Sequence, residues 1–321
     1  AIDLPSGVES DHGTLLNEIQ PFDITIALGA FKPSHFLEPA RSMMGDLVGI
    51  DIGIEASSQL AILPKPRLSG PGPHDHKYSR GLVAVVAGAM PGAAQLAALA
   101  AQKSGAGYVK IFAPSGFPAP HSSIVVETVA DVDELKQKLA DDRISALVVG
   151  PGLGRDDQAN ALLDAALTTE APLLIDADAL MIAGSRFCEL VAGRMAETVV
   201  TPHAGEFARL TSDSLADKID DSRKLAAQSG CHILLKGSDS VIASPDGAAS
   251  ISALSCPWLS TAGTGDILAG IIASRLASGA SGYRAACEGQ WLHSRAAHLA
   301  GPAFTPEMLI DQLPATLQEC L

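Results

Sequence analysis

Ser260-Thr-Ala-Gly-Thr-Gly-Asp-Ile-Leu-Ala-Gly270 sets small residues and one acid, Asp266, where an apolar helical pattern begins (Ile267, Leu268, Ile271, Ile272, Leu276). Glycines at a helix start let a ligand approach the backbone, and the free N–H groups and helix dipole there favour an anion. A carboxylate in the same turn repels that anion and needs a reason. One reason is chemistry: it can take a proton from a hydroxyl about to receive a phosphoryl group. The other is that Asp266 only caps the helix. The segment alone leaves both open.

Other polar residues fall where apolar runs end, the positions at which open α/β sheets bind ligands. Gly88-Ala-Met-Pro-Gly-Ala-Ala94 follows one run and Gly150-Pro-Gly-Leu-Gly154 another. Further runs end in Asp176-Ala-Asp178, Thr201-Pro-His203-Ala-Gly-Glu206 and Lys236-Gly237-Ser238-Asp239-Ser240. Each has a plainer reading. Gly152 and Gly154 could serve a tight turn, Asp178 could cap Ala179-Leu180-Met181, and His203 could be buried and satisfied. Lys236 is harder to explain that way, because a lysine beside buried Leu234 and Leu235 calls for an anionic partner. His74-Asp75-His76 reads as a solvated linker, and His293 and His298 are five apart, wrong for a shared ligand face. The sequence contains neither a Gly-x-Ser-x-Gly elbow nor a P-loop.

These residues need a scaffold. From Gly81 onward apolar runs alternate with helical patterns. Strands are predicted at 82–87, 108–113, 124–129, 146–149, 172–176, 197–201, 232–236, 240–244 and 249–254. Helices are predicted near 92–104, 156–169, 204–210, 215–229, 264–278, 282–300 and 306–318. Short apolar strands without strict alternation imply a mostly parallel sheet covered on both faces, with a hairpin across Gly237-Ser-Asp239. Residues 1–55 carry short apolar runs, Ile24–Leu28 and Leu47–Ile52, and open on what reads as the end of a strand, which points to a cut domain. Residues 56–80, rich in Pro and Gly, read as a linker, leaving 81–321 as the main domain.

The 321 residues are 47% hydrophobic with a formal charge of -14, which supports a full core and disfavours nucleic-acid and membrane-surface partners. Five scattered cysteines without a Cys-x-x-Cys pair suit a reducing cytoplasm. Gly81–Ala101 is uncharged, but Gly88 and Pro91-Gly92 split it into strand, loop and helix rather than a membrane span.

Taken together, Thr261–Gly270, Gly150–Gly154, Asp176–Leu180, Thr201–Glu206 and Leu235-Lys-Gly237 resemble the ADP/ATP-dependent NAD(P)H-hydrate dehydratases of the ribokinase-like superfamily. The resemblance runs from His76-Lys77 to Leu317. Ile2-Asp-Leu-Pro-Ser-Gly7 and Ala30-Phe-Lys-Pro33 are similar to the end of the NAD(P)H-hydrate epimerase domain that precedes it in bifunctional repair enzymes. The implied fold is a three-layer α/β/α ribokinase-like domain after a partial Rossmann-like α/β segment. The implied reaction is ADP-dependent dehydration of the S-epimer of NAD(P)H hydrate, releasing AMP and phosphate. Ala93, Gly152, Gly154, His203 and Asp266 would contact the hydrate, Asp266 as the catalytic base. Lys236–Ser240 and Gly265 would hold ADP or ATP. The N–H groups of Ala262, Gly263, Thr264 and Gly265 would form the anion hole. Mg2+ would accompany the nucleotide without an assigned protein ligand. In the epimerase part, the Asp3 position contacts substrate and the Ser6 position binds K+. That domain's earlier nucleotide loop has no counterpart here, which counts against epimerase activity. The family also implies a homo-oligomer, a tetramer. Ala89 stands where serine is frequent in the family, and Ala262 where glycine is.

Two other functions fit the same residues. A kinase of a vitamin-precursor alcohol would use Asp266 identically but keep the phosphate on its product. A nucleotide sensor would bind ADP and be indifferent to Asp266→Asn.

Overall fold

A computed structural model describes residues 1–55, 57–211 and 215–321. The first part holds two parallel strands, β1 (Ile24–Leu28) and β2 (Asp46–Ile50), joined through short 3-10 turns at Pro33–His35 and Ala40–Met43. Part of the stretch expected to be a linker is instead structural. Strand β3 (Leu60–Ile62) lies at one edge of the main sheet.

The main domain then runs β4 (Leu82–Val86), α1 (Pro91–Lys103), β5 (Tyr108–Ala113), β6 (Ile124–Thr128), α2 (Val132–Leu139), β7 (Ile144–Val149), α3 (Asp157–Leu167) and β8 (Leu173–Ile175). It continues through α4 (Asp178–Ala183), α5 (Phe187–Val191), β9 (Thr198–Val200), α6 (Ala204–Thr211), α7 (Lys218–Ser229), β10 (His232–Leu235), β11 (Val241–Ala243) and β12 (Ala249–Ile251). Helices α8 (Thr264–Ala277), α9 (Gly282–Ala300) and α10 (Pro306–Cys320) close it. The ten-stranded sheet has the order β3-β12-β11-β10-β9-β8-β7-β4-β5-β6. Only β11 is antiparallel to its neighbours, through the β10–β11 hairpin and its pairing with β12.

Alternate residues of each strand feed two cores, as a sheet covered on both faces requires. Val83, Val85, Val109, Ile111, Ala146 and Val148 pack under α1, α8, α9 and α10. Leu82, Ala84, Val86, Leu147 and Val149 pack under the layer that includes α2, α3 and α7. Helices α2, α4 and α5 were not predicted. Helix α2 had a legible start, since Asp131 accepts from Glu134 N at 2.8 Å. The uncharged stretch 81–101 is a buried strand, a loop and α1, and no helix among the described residues is long and apolar enough to cross a membrane.

Strands β4, β5 and β6 step one way and β7 lies on the other side of β4, so the chain reverses between β4 and β7. The loops after these strands flank the crevice such a switch creates. They are locked together, with Ala89 N donating to Leu153 O at 3.2 Å and Met90 N to Gly152 O at 2.9 Å. A side chain at Gly88 would strike Leu153 O at 2.1 Å, and one at Gly152 would strike Met90 O at 2.3 Å. Their glycines are required by this close approach.

Candidate active site

Strands β8, β9 and β10 deliver three charged groups to one point. Asp176 ends β8, Glu206 stands in the first turn of α6 and Lys236 ends β10. Lys236 Nζ donates to Asp176 Oδ1 at 2.7 Å and lies 3.8 Å from Glu206 Oε2. Asp176 is the anionic partner expected for a lysine beside buried Leu234 and Leu235. Burial by itself would push the Lys236 pKa down, but Asp176 and Glu206 outweigh it and the net shift is upward. The backbone fixes the position, because Lys236 N donates to Pro202 O at 2.8 Å.

Helix α8 starts against this group. Its N-cap is Gly263 at φ 94°, with no side-chain cap, so the capping role for Asp266 does not hold. Thr264 Oγ1 donates to the carbonyls of Leu259 and Thr261, both at 2.8 Å, which ties the turn to the preceding loop. Thr264 N reaches Thr261 O at 3.4 Å, whereas the N–H groups of Gly265 and Asp266 have no backbone acceptor among the described residues. The turn therefore offers an anion Gly265 and Asp266 more readily than Thr264. A Cβ on Gly265 would lie 3.7 Å from Lys236 Nζ and 3.9 Å from Asp176 Oδ2, so the lysine pair abuts the helix start.

Burial, then the negative charge of Asp176, push the Asp266 pKa up to about 6, against the opposing pull of Lys236. No hydrogen bond from the described residues holds this carboxyl. It also feels Asp178, whose carboxylate accepts from Gly154 N at 3.0 Å and Arg155 Nε at 2.7 Å. Asp178 is thus a brace for the glycine loop and not a helix cap, since the N-cap of α4 is Ala177. Asp266 stands between two regions: the glycine loops held by Asp178, and the cavity lined by Lys236.

That cavity is about 500 Å³. Of the predicted nucleotide residues, Lys236, Gly237, Ser238, Ser240 and Gly265 line it, as do Thr264 of the expected anion hole and His203. Asp239 does not. It is 2% exposed, pairs with the Lys218 ammonium and accepts from Glu38 N at 2.9 Å. Ala262 is exposed, and Gly263 packs on Leu96 and Pro306. Ala93 packs near Gly152, away from the cavity lining. His203 is not buried; its Nδ1 accepts from Gly205 N and Glu206 N. Sequence reasoning quoted Asp176 and Glu206 without assigning them to the site, weighed His293 only as a metal ligand beside His298, and passed over Gln290; His293 and Gln290 line the cavity from α9.

In the N-terminal part, Asp3 pairs with the Lys32 ammonium, and its backbone carbonyl accepts from His35 Nε2 at 2.8 Å. Ser6 is exposed. The lysine on Asp3 leaves little reason for a second cation beside that carboxylate. Among the described residues no group of three or more His, Cys, Asp or Glu is placed to hold a metal. Mg2+ fits the main site only when held chiefly by nucleotide phosphates with one or two carboxylates, a mode it favours.

Comparisons with known proteins give the family and the fold. The family described as NAD(P)H-hydrate dehydratase matches residues 83–319. The bifunctional NAD(P)H-hydrate repair enzyme Nnr of Mycobacterium leprae is 36% identical over 319 residues, 95% of this chain and 65% of its own length. The Mycobacterium tuberculosis enzyme of the same name is 37% identical over 288 residues, 87% of this chain and 58% of its own length. The chain thus spans about 60% of the length of these relatives. A solved ADP/ATP-dependent NAD(P)H-hydrate dehydratase from Bacillus subtilis, co-crystallized with ATP/Mg2+, superposes with TM-score 0.67 at 28% identity, covering 79% of this chain and 95% of that one. A ribokinase-like superfamily protein from Enterococcus faecalis shares the fold, with TM-score 0.71 at 23% identity, covering 83% of this chain and 98% of that one. On the match across 83–319, with Asp266 between glycine loop and cavity, the chain belongs to the NAD(P)H-hydrate dehydratase family.

Proposed function

We propose that residues 81–321 carry out ADP-dependent dehydration of (6S)-NAD(P)H hydrate, and that residues 1–55 are the end of an epimerase-like domain. The observation that carries the reading is Asp266, a carboxyl with a pKa near 6 beside the free N–H groups of an α8 start and the half-buried Lys236. Its ionised form takes the proton of the 6-hydroxyl as the terminal phosphoryl group of ADP is transferred to that oxygen, leaving AMP. The N–H groups of Gly265 and Asp266, with Lys236, offset the charge of the transferring group. The C6–O bond then breaks with loss of phosphate, a proton leaves C5, and the ring double bond is restored. Gly152, Gly154 and His203 would face the hydrate, and Lys236–Ser240 the nucleotide, with Asp239 supporting its loop from behind. Mg2+ would supply further phosphate neutralisation when bound.

Preference for ADP over ATP, assembly as a tetramer, a cytoplasmic setting and a K+ role for Ser6 in an intact epimerase domain belong to the same proposal. The test is recovery of the near-ultraviolet absorbance of NADH from hydrated NADH with ADP or ATP, on the wild type and Asp266→Asn. Recovery by the wild type and a loss of about 10²–10⁴-fold in the variant support it. No recovery, with phosphorylation of a vitamin alcohol instead, turns the reading to a kinase.

A further inference from the structure

One carboxylate holds two successive residues at the end of the glycine loop. Asp178 is buried, and it accepts from Gly154 N through Oδ2 and from Arg155 Nε through Oδ1. With Oδ2 turned to the Gly154 amide, Arg155 makes only one of the two bonds that its fork can give a carboxylate. Its Nη1 and Nη2 groups have no acceptor among the described residues, and its side chain is 61% exposed. The cation is fixed at its stem and free at its tip. Neighbouring acids do not cancel it. Asp156 is spent as the N-cap of α3, where it accepts from Ala159 N at 2.8 Å. Asp157 lies exposed in the first turn of α3, where solvent screens it and the helix dipole offsets it.

We propose that the outer N–H groups of Arg155 bind the pyrophosphate of the hydrated dinucleotide. The inference rests on the dehydratase reading above and deepens it, by naming a residue that recognises a part of the substrate that does not react. In that reading Gly152 and Gly154 face the hydrate, and Arg155 is the next residue along the chain. A dinucleotide carries its pyrophosphate a few bonds from the nicotinamide ring, and here it must approach a crevice bearing Asp176, Asp178, Glu206 and Asp266 in a chain of formal charge -14. Lys236 and the N–H groups of the α8 start are committed to the phosphoryl group in transfer. A guanidinium suits the remaining anion, because it is permanently charged and can offer paired N–H groups to phosphate oxygens. Its anchored Nε also lowers the entropy lost when a ligand fixes the side chain. A contact remote from the reacting carbon is made equally in the ground state and the transition state, so it acts on KM rather than kcat.

Arg155→Gln and Arg155→Lys test this, with hydrated NADH and hydrated NADPH as substrates at saturating ADP. For Arg155→Gln the expected result is a KM raised about tenfold for both hydrates, with kcat within about twofold of the wild type and ADP affinity unchanged by titration. The wild-type KM should climb with added salt, and the climb should flatten in this variant. Arg155→Lys keeps the charge without the fork and should fall between the two. A residue that only braced Asp178 would instead lower kcat or the melting temperature and leave the salt dependence as it was. That pattern overturns the proposal, as does an unchanged KM, an equal weakening of ADP, or an effect confined to hydrated NADPH, which would put the arginine on the 2′-phosphate. Titration with NADH, the product, separates this inference from the reading beneath it. A wild type that restores hydrated NADH while Arg155→Gln leaves KM and NADH affinity unaltered sinks the inference and spares the dehydratase. A wild type that binds NADH more tightly than Arg155→Gln does, yet restores no hydrate, sinks the dehydratase reading and leaves the dinucleotide contact standing.

Discussion

Asp266 is held in a place where its charge is uncomfortable, and that discomfort has a sign. Its folded-state pKa of about 6 lies above the ordinary 3.8, so the native state favours the protonated form. The stabilisation from that proton is complete below the unfolded pKa and is lost as pH rises through 6. Activity runs the other way, because the base must be ionised. The rate should fall as pH drops through about 6, measured as kcat/KM for NADH recovery. Asp266→Asn should lose about 10²–10⁴-fold in rate and, at pH 7.5, be more stable by on the order of 1–3 kcal/mol, converging with the wild type below about pH 4. Equal melting temperatures at pH 7.5 would remove the electrostatic account. Asp266 was legible as a candidate from Gly-Thr-Gly-Asp alone. Its partners were less so, because Asp176, Glu206 and Lys236 follow three different strands, Glu206 in the first turn of α6, and meet only through the sheet order.

At the scale of elements, the turn that carries Asp266 is positioned by helix packing. Helix α8 crosses α1 so closely that a Cβ on Gly270 would come within 2.0 Å of Ala97 O. Ala94, Ala97, Ala98 and Ala101 supply the matching small surface. Gly270→Leu should force the helices apart, lower stability by about 2–4 kcal/mol and displace the α8 start, with a loss of rate beyond that explained by unfolding. Circular dichroism melts and kcat at a temperature well below the midpoint check both parts. The main-domain strands were legible as short apolar runs closed by glycine or polar residues, and the long helices by their apolar period. Helices α4 and α5 were not, since Asp178–Ala183 and Phe187–Val191 are too short to show a period. Strand β3 was hidden by the Pro- and Gly-rich residues after it, and its sheet partner β12 lies far along the chain.

Over the whole molecule, the first 50 residues are seated on the main domain. Phe36 and Leu37 pack with Ile219, Val241, Ala249 and Ile251. His12 Nε2 meets Asp217 Oδ2 at 2.7 Å. None of this docking was legible, because no local pattern says which distant surface an apolar pair will cover. Leu37→Ser should loosen the segment, seen as faster proteolysis between residues 51 and 59, while hydrated NADH is still restored. Unaltered cleavage would mean that the apolar contact does not hold the segment.

The buried Asp239 joins these scales. It lies inside the Lys236–Ser240 turn, yet its carboxylate grips Glu38 N and Lys218 rather than the cavity. The nucleotide turn is in effect moored to a segment outside the dehydratase domain. Mooring is reciprocal: whatever steadies the first 50 residues must tighten nucleotide binding by the same factor that the nucleotide steadies them. ADP affinity then becomes a gauge of how a distant stretch of chain is seated, and Leu37→Ser should weaken it about 3- to 10-fold without touching a single residue of the cavity.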